Sequence, residues 1–429
     1  MERKRVHYRC LAVFDVLHDR LFVRPPLFSY HPVAESHLQT HLYRTVWRVI
    51  MNIQLTKYQL FTVTTNFVIF SSILMAPALT VVAAKQDGWL SMLLALIIGL
   101  LLNFVYVLLL RKHQYPSLFS LIDRAAGKWM GTLLNIVLMF YALHLAAMVV
   151  RNLSNFIVSS VFPNAHPWTY QVLLIGLVAF TALHGVRNLF LLNELLSPLL
   201  FFIVGGSLLL IIKDFSFIEL KPIFYTPFPS FFKGAYATLG FPFIEALLLG
   251  NFFHYVQRKK QLSVVYLSGL LFGGLTLVIA VLLIIGNDGA YIVARETYPT
   301  YSVLRDIEFT TIFERIEILI ALAWITGLFF KTTVCFLVVM MGFKHLSNSK
   351  SYRPFIVPIA ILIWAMSNHL HKTVMDFSNF VTSSWTLYWI TLYCVLIIVF
   401  LIGFLRKKKQ SGQGQQPGND HSSMQKARP

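Results

Sequence analysis

An acidic residue lies inside a long apolar run, close to a proline. Glu245 follows Pro242 in Gly240-Phe-Pro-Phe-Ile-Glu245, within the apolar stretch 235–256. If that stretch is a transmembrane helix, its rise per residue places Glu245 near mid-depth. A charge at that depth costs on the order of 3 kcal/mol and usually serves a function. Glu245 could line a solute site, hold a ligand ammonium or carry a proton; alternatively, it is the structural partner of a buried base.

A second proline interrupts the first apolar stretch of the chain. Pro77 ends the run Ser71-Ser-Ile-Leu-Met-Ala-Pro77. Helix breakers in hydrocarbon leave backbone groups unpaired, so they persist mainly where they line a cavity. Interrupted segments at corresponding places in two halves of a membrane chain indicate a solute site where the halves meet. The residues that we expect to contact the solute are Ser71, Ser72, Ile73, Pro77, Gly240, Pro242 and Glu245.

Three more charged residues fall within or at the edge of apolar stretches. Lys331 is the candidate base for Glu245, and its ammonium could connect the eighth stretch to the break in the first; alternatively, it extends to the cytoplasmic interface. Glu317 lies at the outer mouth of the eighth stretch, about one turn deeper than Glu314, and is a candidate gate residue. Arg151 lies near the outer end of the third stretch, where it either reaches the interface or forms a gate by pairing with Glu317.

The composition predicts an all-α, polytopic membrane protein. The 429 residues are 57% hydrophobic and 13% charged, with a mean hydropathy of +0.67, whereas soluble domains carry about twice that charged fraction. Apolar runs of about 20 residues can cross a bilayer as helices. We predict ten such spans, numbered in chain order: 58–84, 89–110, 132–162, 168–184, 189–212, 235–256, 262–285, 316–342, 355–370 and 385–405.

The net charge of +18 could suggest nucleic-acid binding, but the basic residues are concentrated in alternate loops. This placement is typical of charges that orient a protein in a membrane. Outside the first 57 residues, Lys and Arg number 17 in the loops and tail on the predicted inner side and 7 in the loops on the outer side. This asymmetry predicts cytoplasmic termini. The spans form one transmembrane domain, residues 52–409, in a lipid bilayer. Residues 1–51 form a basic arm. This arm either is unstructured or results from a start codon assigned too far upstream, or it is a segment that lies on the membrane surface. Residues 410–429 form a disordered tail.

Other kinds of site have little support in the sequence. The three cysteines have no plausible disulfide partners, and no metal-ligand spacing occurs, so we predict no metal and no cofactor. Enzyme signatures such as the P-loop, Gly-x-Ser-x-Gly and His-Glu-x-x-His are absent, so we predict that the protein is not an enzyme.

The pairs Gly205-Gly206 and Gly273-Gly274 predict close helix packing in lipid.

Ten spans with breaks in the first and sixth resemble the LeuT-type inverted repeat of five plus five helices. A more specific resemblance is to the B subunits of spore germination receptors, which are related to amino acid permeases. It rests on the stretch from Tyr298-Pro299 to Glu317, on Gln54-Leu-Thr-Lys-Tyr-Gln-Leu60, on Lys85-Gln-Asp-Gly-Trp89 and on Tyr115-Pro-Ser-Leu118. The resemblance extends from about residue 52 to residue 409.

This resemblance implies a spore inner-membrane protein that works with A and C subunits and binds a germinant, commonly an amino acid, to trigger germination. The permease pattern at the first break has glycines where this chain has Phe70 and Ser72. We therefore expect Phe70 to narrow the pocket and Ser72 to supply a hydroxyl donor. The alternative is a secondary transporter, coupled to protons through Glu245 or Lys331.

Overall fold

The computed structural model describes residues 54–307, 315, 317–371 and 373–413, and these residues are almost entirely helical. Each predicted span has a helical counterpart. In chain order the helices are Lys57–Ser72 and Ala76–Ala84 (span 1), Gly88–Lys112 (span 2), Lys128–Phe156 (span 3), Pro167–His184 (span 4), Val186–Ile211 (span 5), Phe228–Thr238 and Glu245–Tyr255 (span 6), Leu262–Val293 (span 7), Glu317–Leu346 (span 8), Ile356–His369 (span 9) and Thr386–Gln413 (span 10).

Eight continuous helical stretches within the described residues are long and apolar enough to cross a membrane. One of them, Ala76–Lys112, joins the second half of span 1 to span 2. The helices Lys57–Ser72 and Ile356–His369 have 16 and 14 residues, fewer than the roughly 20 that a crossing helix requires. The all-α membrane fold is confirmed, whereas the number of ten crossings stays a prediction.

Three shorter helices connect the spans: Leu118–Ala126 between spans 2 and 3, Pro299–Asp306 between spans 7 and 8, and Val374–Phe380 before span 10. The basic arm, 1–51, and residues 414–429 of the predicted tail lie outside the described residues. So do residues 308–314 and 316 of the stretch that carries the family resemblance. The helix of span 10 continues past the predicted boundary at residue 409 and ends at Gln413.

The break in span 1 lies between Ser72 and Ala76 and follows from the position of its proline. Pro77 lies in the first turn of the second helix, where its missing N–H costs no hydrogen bond. The break leaves the carbonyl of Ile73 without a helical partner, and the Thr300 hydroxyl donates to it at 2.5 Å. Thr300 belongs to the connecting helix Pro299–Asp306, so that helix is attached to the break.

The break in span 6 is held open by side chains from three other spans. Phe241 has an extended backbone, φ −113° and ψ 107°, directly before Pro242. The Thr386 hydroxyl of span 10 accepts from the Gly240 N–H at 3.1 Å and donates to the Tyr236 carbonyl at 2.7 Å. From span 2, Asn103 donates to the Phe243 carbonyl at 3.0 Å, and the hydroxyl of Tyr266 in span 7 donates to Asn103 at 2.6 Å. Neighbouring helices thus satisfy the freed backbone, as a break within lipid requires.

Glycines permit two close approaches near the breaks. A methyl group added at Gly327 of span 8 would lie 1.9 Å from Cβ of Phe70, and one added at Gly274 of span 7 would lie 2.3 Å from Leu96. The predicted close packing at Gly273-Gly274 is therefore present. The same prediction for Gly205 and Gly206 was wrong for the part of the chain that the structure describes, where an added methyl group would meet nothing within 4 Å at either position.

The replacement Thr386→Val should destabilise the protein by about 1–3 kcal/mol, because it leaves the Gly240 N–H buried without an acceptor. Thr391→Val is the matched control on the same helix, since the Thr391 side chain is exposed and only donates to the Leu387 carbonyl. Denaturation of both variants in the same detergent measures the difference. Equal stability of the two variants would contradict the role of Thr386 at the break.

The replacement Gly327→Ala should cost at least about 1–3 kcal/mol, because its methyl group would overlap the rigid Cβ of Phe70. Gly206→Ala is the control and should be neutral or stabilising, since space is open there and alanine is the better helix former. Thermal unfolding of the two purified variants tests this. An unchanged midpoint for Gly327→Ala would show that spans 1 and 8 are not in close contact.

Candidate functional site

A buried ion pair lies at the break of span 6. The Glu245 carboxylate, through Oε2, pairs with the ammonium of Lys331 in the middle of span 8, and both side chains have 0% exposure. The indole Nε1 of Trp385 donates to the other carboxylate oxygen, Oε1, at 2.6 Å. Each oxygen of Glu245 therefore has a donor. A buried charge pair is tolerated only with such complete pairing, because desolvation of either charge alone is costly.

The Lys331 ammonium also contacts aromatic rings. Its Nζ lies 4.5 Å from the ring centroid of Phe67 in span 1 and 5.0 Å from that of Phe241 at the break of span 6. Cation–π contacts of this length are attractive when the ammonium is desolvated. The side chain therefore lies in the interior and does not extend to the cytoplasmic interface. Its ammonium connects spans 1, 6 and 8.

A small cavity of about 20 Å³ adjoins the ion pair. Its polar lining residues are Ser71, Asn152, Glu245 and Trp385. The remaining lining is apolar and comes from spans 3, 6 and 8, from the helix Val374–Phe380 and from the residue after that helix: Leu145, Met148, Val149, Phe241, Leu328, Phe377 and Val381. This volume holds about one water molecule. The structure is therefore that of a closed site.

The predicted solute contacts at the first break occupy different surroundings. Ser71 lines the cavity and its hydroxyl donates to the Phe67 carbonyl at 3.1 Å. Ser72 is fully buried with its hydroxyl oxygen 3.2 Å from that of Ser71, and it does not line the cavity. Ile73 is buried and its carbonyl is used by Thr300. Pro77 is buried in the first turn of the following helix.

At the second break, Glu245 lines the cavity, whereas Gly240 and Pro242 are buried and do not line it. The Gly240 N–H donates to Thr386 and is not available to a ligand. Phe70, which was expected to narrow the pocket, lies against Gly327 and is not a lining residue. Phe241 and Trp385 also line the cavity, and the sequence analysis did not predict them as site residues. In the sequence, an aromatic residue in a span cannot be distinguished from any other apolar residue there.

Aromatic side chains cover the cavity on the side of the loop between spans 7 and 8. Phe156 makes edge-to-face contacts with Tyr298, Tyr301 and Trp324, with ring centroids 5.0–5.1 Å apart. The Tyr298 hydroxyl donates to Oδ1 of Asn152, a lining residue, at 3.1 Å. Burial raises the pKa of Tyr298, so this hydroxyl stays protonated and can donate. The segment Tyr298-Pro299, which carried the family resemblance, thus contributes to the closed face of the site.

The candidate gate residues Arg151 and Glu317 do not pair with each other among the described residues. Glu317 lies 3.3 Å from Nε of Arg315, and its side chain is 5% exposed whereas that of Arg315 is 68% exposed. Arg151 is half-buried in span 3, and its charge acts on His371 in the loop after span 9. Burial, together with the Arg151 charge, lowers the pKa of His371 in that loop. A gate role for either residue stays a prediction.

Comparisons with known proteins identify the family and the fold. A family model for spore germination proteins matches residues 54–376. The spore germination protein YndE of Bacillus subtilis (strain 168) is 24% identical over 290 residues, covering 66% of this chain and 79% of YndE. Spore germination protein KB of the same organism is 22% identical over 312 residues, covering 72% of this chain and 83% of that protein.

Among solved structures, MhsT in complex with L-phenylalanine superposes with a TM-score of 0.56 at 14% identity, over 81% of this chain and 97% of that chain. At this identity the likeness concerns the fold alone, and it confirms the predicted LeuT-type arrangement. The family match extends over most of the chain, including both breaks and the ion pair. This helical membrane protein therefore belongs to the family of spore germination proteins.

Proposed function

We propose that this protein is the membrane subunit of a spore germinant receptor and binds a small nutrient germinant, an amino acid, at the breaks of spans 1 and 6. The observation that carries the proposal is the buried Glu245 carboxylate at a helix break, beside a cavity. MhsT, which shares the fold, is named as a complex with an amino acid. The family membership supplies the connection to germination.

The ion pair suggests how a germinant would be recognised. The Lys331 ammonium on Glu245 is the same chemical group as the α-ammonium of an amino acid. A germinant ammonium could take this position if Lys331 withdrew, and the mainly apolar wall would contact an apolar side chain. Trp385 would continue to donate to the other carboxylate oxygen. Recognition would thus exchange one cation for another without leaving Glu245 unpaired.

A cavity of about 20 Å³ is too small for an amino acid, so binding requires the site to open. A ligand that binds the open form more tightly shifts the population toward it. Opening would separate the aromatic cover formed by Phe156, Tyr298, Tyr301 and Trp324. In the receptor, the A and C subunits in the spore inner membrane would respond to this change and trigger germination, with both termini of this subunit in the cytoplasm.

A second candidate function is proton-coupled amino acid transport, favoured by the same buried acid–base pair. Glu245 and Lys331 can exchange a proton if one of them is hydrated during opening. Uptake of labelled amino acid into proteoliposomes under a proton gradient separates the two functions. Accumulation that depends on the gradient supports transport, whereas ligand binding without accumulation supports the receptor.

Ligand-induced stabilisation tests the proposed binding. The purified protein, or its complex with A and C subunits, is heated with panels of amino acids, nucleosides and sugars. At least one amino acid should raise the unfolding temperature, because a ligand at 100 times its dissociation constant contributes about 2.7 kcal/mol. Glu245→Gln should abolish this shift. A panel without any amino acid that stabilises the complex would contradict the proposed ligand class.

A double-mutant cycle on Lys331→Met and Glu245→Gln tests the ion pair. Each single variant should lose about 3–5 kcal/mol of stability, because it leaves a buried charge without its partner. The double variant should recover most of this loss, and all three should lose the germination response. An unchanged response with normal abundance of the complex in Lys331→Met would remove Lys331 from the mechanism.

A further inference from the structure

A polar recess of about 340 Å³ lies at the opposite end of span 8 from the aromatic cover. It is lined by Asp123, Arg124, Lys128, Thr132, His345 and Leu346, from the connecting helix Leu118–Ala126, the start of span 3 and the end of span 8. This is the face that the Lys and Arg distribution predicts to be cytoplasmic. The volume is at the lower end of the range for ligand pockets, which begins at about 300 Å³.

The acidic residue of the recess is already bonded to protein groups. One carboxylate oxygen of Asp123, Oδ1, accepts from Asn135 at 2.8 Å. The other, Oδ2, lies 2.6 Å from Nε2 of His345, which donates in the tautomer with hydrogen on that nitrogen. The His345 ring in turn stacks on Phe119. Asp123 therefore serves to hold the end of span 8 against span 3.

The basic residues of the recess are directed to solvent instead. Arg124 and Lys128 are exposed, and neither forms an ion pair within the described ranges. Nε of Arg124 donates to the Ser120 carbonyl, which leaves the terminal nitrogens of its guanidinium group for another acceptor. Lys344, next to His345, adds a third exposed cation close by. The recess therefore favours an anion, and paired Arg and Lys side chains are typical ligands of phosphate.

The surroundings place this recess at the level of lipid headgroups. Trp129, next to Lys128, is 90% exposed, and tryptophan at the end of a span usually lies in the headgroup layer. Thr132, Ile136 and Phe140 are four residues apart and share one face of the helix. Ile136 and Phe140 are 48% exposed, and so they form a lipid-facing apolar strip that begins at the recess.

We propose that this recess binds the phosphate of an anionic phospholipid of the inner leaflet, with Arg124 and Lys128 as its cationic ligands. The acyl chain lies along the strip formed by Ile136 and Phe140. Bound in this way, the lipid contacts the helix Leu118–Ala126, span 3 and the end of span 8, whose middle carries Lys331. The headgroup thereby stabilises the end of the helix that positions the ion pair.

Native mass spectrometry of the full-length purified protein tests this site. Phosphatidylglycerol is titrated as the anionic lipid, and phosphatidylcholine serves as the control without net charge. The double variant Arg124→Gln/Lys128→Gln should bind phosphatidylglycerol about thirty-fold more weakly, because each cation near anionic lipid contributes about 1 kcal/mol. The double variant Arg258→Gln/Lys260→Gln is the matched control, since it removes the same charge from exposed residues of another loop on the same predicted face.

Tight phosphatidylglycerol binding that only the recess variant loses supports the proposal. Equal loss in both double variants overturns it, because the effect would then come from the general surface charge. A third experiment compares the unfolding temperature in inorganic phosphate with that in phosphatidylglycerol. If phosphate raises this temperature as much as phosphatidylglycerol does, the site binds a free anion and the proposal of a lipid site is overturned. The charge-preserving variant Arg124→Lys/Lys128→Arg should retain binding, and its loss of binding with a normal unfolding temperature also counts against the proposal.

Discussion

The buried pair of Glu245 and Lys331 is the interaction on which the centre of this protein depends. Neither charge could remain in the hydrocarbon region alone, because the desolvation cost of an isolated ion exceeds that of most other single defects. The pair requires the break of span 6 and the middle of span 8 to lie side by side, with Trp385 of span 10 close enough to donate. The aromatic contacts of the ammonium add span 1 to this group.

The two breaks are stable because other spans replace the hydrogen bonds that the helices lose. Thr386, Asn103 and Thr300 are uncharged residues, and each is bonded to backbone within or beside a break. In lipid an unpaired backbone group costs several kcal/mol, so these side chains are as necessary to the fold as the prolines that interrupt the helices. They also connect the breaks mechanically to spans 2 and 10 and to the helix before span 8.

In the proposed receptor, these connections would allow a closed site to respond to a ligand. The closed form satisfies Glu245 with a cation of the protein itself, and the cavity beside it is almost filled. Under the proposed function, a solute that supplies a cation of its own would compete with an internal contact and would not need to enter an empty pocket. The Thr300 hydrogen bond would pass movement at the break of span 1 to the connecting helix Pro299–Asp306. Subunits of a receptor could respond to that helix.

The sequence by itself determined the helical membrane class, the approximate positions of the spans, both breaks and the burial of Glu245 beside the second break. Hydropathy, proline and isolated charge are local signals, because the cost of burying a backbone group or a carboxylate in lipid does not depend on the neighbour. Lys331 could be named as a candidate partner, since it was one of few charges inside the spans, but the sequence was equally consistent with a side chain that extends to the interface.

Only the tertiary structure decided which side chains meet. Trp385 and Phe241 complete the ion pair, Phe70 lies against Gly327 and not in the cavity, Glu317 pairs with Arg315, and Gly205 has open space beside it. These outcomes depend on the rotation and register of each helix against its neighbours. Apolar packing in lipid sets both, and it distributes its small contributions over many contacts that leave no separate mark in the sequence.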